Sequence, residues 1–122
     1  MTTPQERTWL LNEKYSGQEA PEFFADLERL AKGEPHANVI GHIPFLSATI
    51  DLSHRPLIPR VETEHWVKEA MDIVRVEHPD GNFTALDLFA GSGCIGIALL
   101  LEFPVARVDF GEHDKNLLVQ IK

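Results

Sequence analysis

Several things are scarce in this chain of 122 residues, and each scarcity excludes something. There is one cysteine, Cys94, so no disulfide can close within the chain, and a reducing compartment is the simple expectation. Lys and Arg number 11 against 19 Asp and Glu, leaving a net charge of −8 and no basic cluster. That balance argues against an electrostatic grip on nucleic acid, and no direct nucleic-acid partner is expected. The longest apolar run, Cys94 to Leu101, falls far short of the ~20 residues that cross a bilayer, so no membrane partner is expected either. The opening MTTPQERTWLL lacks the basic segment and apolar core of a signal peptide, and a cytoplasmic location is the default expectation. His36, His42, His54, His65, His78 and His113 are scattered without a pair at metal-ligand spacing, so no metal is expected. What is present, 43% hydrophobic and 25% charged residues, is the composition of one modest globular domain or a small domain with part of another.

In chain order, Thr3-Pro4-Gln5-Glu6 reads as a helix start with a capping box, and the helix runs to about Tyr15 with Trp9 and Leu10 inward. A second helix starts near Pro21 and places Phe23, Phe24, Leu27, Leu30 and Ala31 at helical spacing before Gly33 and Pro35 end it. A loop follows over 33–38. Leu46, Ala48, Ile50 and Leu52 then alternate with Ser47, Thr49, Asp51 and Ser53, the period of a half-buried strand. A turn at Ser53–Pro56 and a short return through Leu57-Ile58 complete an expected β-hairpin. From about Thr63, as cap, to Glu77 the pattern is helical, with Trp66, Ala70, Met71, Ile73 and Val74 on the inner face. Strands at Thr84–Phe89 and Val105–Gly111 alternate with helices at Ser92–Phe103 and Asp114–Lys122, an order that implies parallel strands. Three regions result: 1–38 helical, 39–58 a linking hairpin, and 59–122 the start of an α/β domain.

The chain is organised around TALDLFAGSGCIG, Thr84 to Gly96. A strand that turns on glycines into a helix brings backbone N–H groups close to a ligand, because no Cβ intervenes. Gly91-x-Gly93-x-x-Gly96 satisfies a dinucleotide fingerprint, with Glu112 about where a ribose-binding acid belongs. Two details favour S-adenosylmethionine instead. Asp87 lies inside the strand, where dinucleotide folds keep apolar residues, and a helix with its own polar entry motif precedes that strand. Asp87 suits the charged parts of such a ligand, and Glu112 suits two ribose hydroxyls. Asp109, within the second strand, is a rival ribose ligand. The alternatives are an Asp87 bonded to the neighbouring loop and a Glu112 solvated at a strand end. Cys94 sits at a helix start, which favours a lowered pKa, but lacks a base partner, so packing beside the loop is its expected role.

Leu57 to Val67, LIPRVETEHWV, followed by LDLFAGSGCIGIAL, resembles the release factor glutamine N5-methyltransferases, class I S-adenosylmethionine-dependent enzymes. Their entry motif usually reads I-P-R-P-E-T-E and their cofactor motif D-L-G-x-G-S/T-G; GEPHANVIGHIPF resembles the family's linker and the start of its interdomain hairpin. The resemblance runs from about Leu27 to Lys122 and implies a Rossmann-like class I methyltransferase fold, of which the first two parallel strands are present, preceded by a small helical region and a β-hairpin. By position it implies that Phe89, Ala90, Gly91, Ser92 and Gly93 line the methionine end of the cofactor. Glu112 would hold the ribose, and Arg60, Glu62, Thr63 and Glu64 would lie at the site entrance. It also implies a release factor as protein substrate.

The chain departs from the pattern in three ways. Val61 stands for the usual proline, Phe89 for the first glycine, and the N-terminal helical region is shorter than the family's bundle. Methyltransferases of nucleic acids use a D-L-F-A-G-S-G form, which keeps a nucleic-acid base methyltransferase as the alternative; a non-catalytic cofactor-binding fragment is another. The Asn-Pro-Pro-Tyr segment with which these enzymes hold the acceptor amide does not occur in the 122 residues. No catalytic residue is therefore assigned, and the chain alone is expected to be inactive. Two parallel strands with one free edge are also expected to make it self-associate.

Overall fold

A computed structural model describes residues 2–121 and divides the chain into two compact units, one ending at His42 and the other beginning at Ile43.

The first unit is helical. Helix α1 (Pro4–Tyr15) starts on the reciprocal capping box: the Glu6 N–H donates to the Thr3 hydroxyl and the Thr3 N–H to the Glu6 carboxylate. Helix α2 (Pro21–Ala31) also opens on proline. A short third helix, α3 (His36–Ile40), occupies the segment expected to be a loop; Pro35 hides it in the sequence by standing immediately before its first residue. Leu10, Phe23, Val39 and Ile40 form the core, with Leu11, Tyr15, Leu27 and Leu30 packed on it. Beside them Asp26, 5% exposed, accepts hydrogen bonds from Lys14 (2.7 Å), Arg29 (3.0 Å) and the Tyr15 hydroxyl. Lys14 also donates to the Val39 carbonyl at 2.8 Å, so this one ammonium of α1 ties α2 and α3 together. Burial pushes the Asp26 carboxyl up, but the donors from Lys14, Tyr15 and Arg29 outweigh it and hold the group below the usual range. Trp9 and Phe24 are corrections: they are 43% and 52% exposed, each resting one edge on a neighbour, His36 and Phe23 respectively.

The second unit mixes helices and strands. Strands β1 (His42–Phe45) and β2 (Ala48–Asp51) pair through a turn at Leu46-Ser47. This corrects the expected hairpin: the alternation that buries Ala48, Ile50 and Leu52 is present, but its partner precedes it, and Leu57-Ile58 are not in a strand. Helix α4 (Val61–Glu77) begins earlier than expected. Arg60 is its N-cap residue, without a side-chain cap, and Thr63 lies inside the first turn, donating its N–H to the Arg60 carbonyl. Val67 and Met71 are the buried residues of α4; Trp66 and Ile73, expected inside, are 50% and 61% exposed.

Strand β3 (Thr84–Leu88), helix α5 (Cys94–Glu102), strand β4 (Arg107–Gly111) and helix α6 (Lys115–Ile121) follow in the expected order; Lys122 lies outside the described residues. β3 and β4 are parallel, with Asp87 opposite Phe110 and Leu88 opposite Gly111. Alternation along β3 turns Ala85 and Asp87 inward and leaves Leu86 and Leu88 63% and 60% exposed. Helix α5 packs against β2, β3 and β4, and Pro104, which cannot continue a helix, follows it. Among the described residues no helix is long and apolar enough to cross a membrane.

Candidate functional site

The turn between β3 and α5 and the start of that helix rest on four positions. Phe89, Gly91 and Gly93 have φ of 57°, 59° and 79°, in the left-handed region, and Ala90 between them continues the ladder by donating its N–H to the Gly111 carbonyl at 3.0 Å. The fourth is Gly96. A Cβ there would lie 2.3 Å from Phe110 Cε1 and 3.0 Å from Val108 Cγ1, so only glycine lets α5 approach β4 this closely. A Cβ at Gly91 would meet nothing within 4 Å, so its backbone faces open space.

Two carboxylates hold this turn. Helix α5 starts at Gly93, which has no side chain to cap it. Asp87, one turn below on β3 and 8% exposed, supplies the missing acceptor: its Oδ2 takes the Gly96 N–H at 2.9 Å. Burial pushes the Asp87 carboxyl up, and the Gly96 N–H only partly offsets this. Glu112, just past β4, accepts the Gly91 N–H at 2.8 Å on one oxygen and the Asp114 N–H at 2.9 Å on the other. The Asp114 N–H, then that of Gly91, hold its carboxyl below the usual range. An ionised carboxylate has about four acceptor positions, so Glu112 retains acceptor capacity beyond these bonds.

Beside the turn lies a cleft of about 190 Å³. Leu57–Arg60 and Thr63 form one wall; Phe89–Ser92, Cys94 and Ile95 form the other. The structure thus brings Arg60 and Thr63 to Phe89, Ala90, Gly91 and Ser92, although they are distant in sequence. Its described walls do not include Asp87, Glu112, Glu62, Glu64 or Gly93. Gly93 is packed inward, where a Cβ would sit 3.1 Å from Ile121. Glu62 is exposed on the first turn of α4, and Glu64 turns the other way, accepting the Leu46 N–H at 3.2 Å to steady the hairpin turn. Asp109, the rival ribose ligand, is ion-paired with Arg107 at 3.2 Å.

Cys94 corrects the expectation of a lowered pKa. Its thiol is buried, and burial pushes it up, more than the hydrogen bond with Ser92 pulls it down. Among the described residues no group of His, Cys, Asp and Glu is arranged to hold a metal.

Sequence reasoning missed Leu57, Ile58, Pro59 and Ile95 as cleft residues; the apolar pair Leu57-Ile58 before a proline reads as a strand end. It also missed what secures that wall. The Gln120 side-chain amide accepts the His54 N–H at 3.2 Å and donates to the Asp51 carbonyl, while Asn116 donates to the His54 carbonyl at 3.1 Å. Amides one helical turn apart on α6 thereby clamp the backbone that leads into Leu57–Arg60. No local signal announces such a contact.

No family model matches the chain. Curated relatives do. The chain is 40% identical over 80 residues to the release factor glutamine methyltransferase of Pasteurella multocida, covering 62% of this chain and 27% of that protein. It is 38% identical over 93 residues to that of Aliivibrio fischeri, covering 76% and 31%. Over 111 residues it is 32% identical to that of Streptococcus pneumoniae, covering 88% and 38%. The chain therefore resembles the release factor glutamine methyltransferases, and spans about a third of the length of these relatives.

Proposed function

We propose that this chain carries the cofactor half of an S-adenosylmethionine-dependent methyltransferase that modifies the side-chain amide of a glutamine in a peptide chain release factor. The observation that carries the reading is the cleft in which the Leu57–Thr63 segment meets the glycine turn, since these are the two stretches on which the family resemblance rests. Residues 59–122 then form the first part of a Rossmann-like class I methyltransferase domain, a reading supported by the parallel pairing of β3 with β4 around α5. The helical unit and the β1–β2 hairpin, which ends at Asp51, precede it.

In this reading the ligand's amino-acid end lies along Phe89–Ser92, where the open face of Gly91 admits close approach, with Arg60 available to its carboxylate. Glu112 takes ribose hydroxyls with its free acceptor positions. Asp87 acts at one remove, by fixing the first turn of α5. The ligand supplies an electrophilic methyl group; the amide nitrogen that receives it is a weak nucleophile and must be aligned and held by acceptors. The Asn-Pro-Pro-Tyr segment that does this in the family is not among the 122 residues, so the chain by itself binds without transferring. A release factor as partner places the activity in the cytoplasm.

Isothermal titration of the chain with S-adenosylmethionine and with NAD tests the reading. Saturable heat with the first and none with the second is expected; the reverse would make this a dinucleotide site.

A further inference from the structure

Phe89 combines two costs that its neighbours avoid. Its φ of 57° is a conformation that disfavours any residue with a Cβ, and the residue is 83% exposed. A glycine, as at 91 and 93, would carry neither cost. Packing does not explain the ring, because so little of it is covered. Its position offers a different account: Phe89 stands on the wall of the cleft opposite Leu57–Arg60.

The charge of that cleft sharpens the point. Among its described lining residues Arg60 carries the only formal charge, and it is positive. A guanidinium suits a ligand carboxylate but repels a cationic centre nearby. A sulfonium has no N–H to donate, so its charge is met by carbonyl oxygens or by the negative face of an aromatic ring. Phe89 is the only aromatic residue among the described residues that line the cleft.

We propose that the Phe89 ring is a specificity-determining residue, which favours a ligand bearing a trialkyl sulfonium over the neutral thioether that remains once the methyl group has left. The proposal rests on the cofactor reading above and adds a direction to it: the ring helps the spent ligand leave relative to the charged one.

The test is titration of S-adenosylmethionine and S-adenosylhomocysteine into the unsubstituted chain, Phe89→Leu and Phe89→Gly. Leu keeps an apolar side chain in the same backbone geometry without a π face; Gly removes the side chain and relieves the backbone, which guards against a folding failure. Both variants are expected to lower the preference for the sulfonium ligand by about two- to five-fold, the range of an exposed cation–π contact. An unchanged affinity ratio in either variant overturns the proposal while leaving the cofactor reading intact. Absence of binding by the unsubstituted chain to both ligands overturns the cofactor reading and this proposal with it.

Discussion

Gly96→Ala tests the packing on which the site stands. Alanine is ordinarily the better helix residue, worth about 1 kcal/mol over glycine in a helix interior. Here its Cβ would sit 2.3 and 2.6 Å from two atoms of the Phe110 ring and 3.0 Å from Val108 Cγ1. Carbon atoms settle at about 3.5–4.0 Å, so the ring must retreat by roughly 1 Å. Overpacking of this kind costs about 1–3 kcal/mol, which outweighs the propensity gain and leaves a net loss of about 1 kcal/mol, with about 2 as the upper end. Urea unfolding followed by far-UV circular dichroism measures it, provided the slope is unchanged. A double-mutant cycle isolates the cause. With Phe110→Ala the ring is gone, and Gly96→Ala is expected to become neutral or stabilising. Equal or greater stability of Gly96→Ala with Phe110 in place would refute the close approach of α5 to β4.

Other consequences are as direct. Asp87→Ala leaves the buried Gly96 N–H without its acceptor and is expected to cost about 1–3 kcal/mol in the same unfolding assay. The Asp87 carboxyl is raised in the folded state, so its contribution favours folding at low pH and declines as pH rises through the folded-state value; Asp87→Asn, which keeps an acceptor, should remove that dependence from thermal melts. Glu112 has the opposite sign. Its carboxyl is lowered on folding, so its contribution is present above the unfolded-state value and lost as pH falls through the folded one, and Glu112→Gln should flatten the acid limb of the melts. Burial and the neighbouring Asp26 push the Tyr15 phenol up to about 12, so ultraviolet titration should show no phenolate near the ordinary value, and Asp26→Asn should bring it down. Leu86 and Leu88 leave an apolar face on β3, so the chain should self-associate in light scattering, and Leu86→Lys with Leu88→Lys should reduce it.

Much of this architecture was legible in the sequence wherever the cause is local. The capping box at Thr3 and Glu6, and the change from period two to helical period around Gly91, are written in adjacent residues. The misplaced hairpin shows where locality ends. Pro44 in the first strand and a Leu-Ser turn are poor hairpin signals, and Leu46 reaches its left-handed φ of 52° with its N–H held by Glu64, from a different element. The exposed Trp66 and Ile73 mark the opposite difficulty: apolar spacing defines a helical face but not what covers it. For the site, residue types and order identified the turn, whereas the clamp from Asn116 and Gln120 and the placement of Leu57 and Ile58 depend on tertiary contacts.

The two carboxylates chosen from the sequence as ligand contacts already have backbone partners. Asp87 fixes the α5 end of the turn and Glu112 the β4 side, so both shape the cleft whether or not a ligand touches them. Loss of binding on substituting either one therefore cannot distinguish contact from positioning. A cycle that varies the ligand as well as the protein can. If Glu112 grips the ribose, Glu112→Gln and removal of one ribose hydroxyl from S-adenosylmethionine each weaken binding, and together they weaken it by less than the sum. If Glu112 only holds Gly91, the two losses add. Asp87→Asn, which keeps the bond to Gly96, should give additive losses with the same deoxy ligand. Additive behaviour for Glu112 would move the ribose elsewhere and leave both acids as supports of the glycine turn.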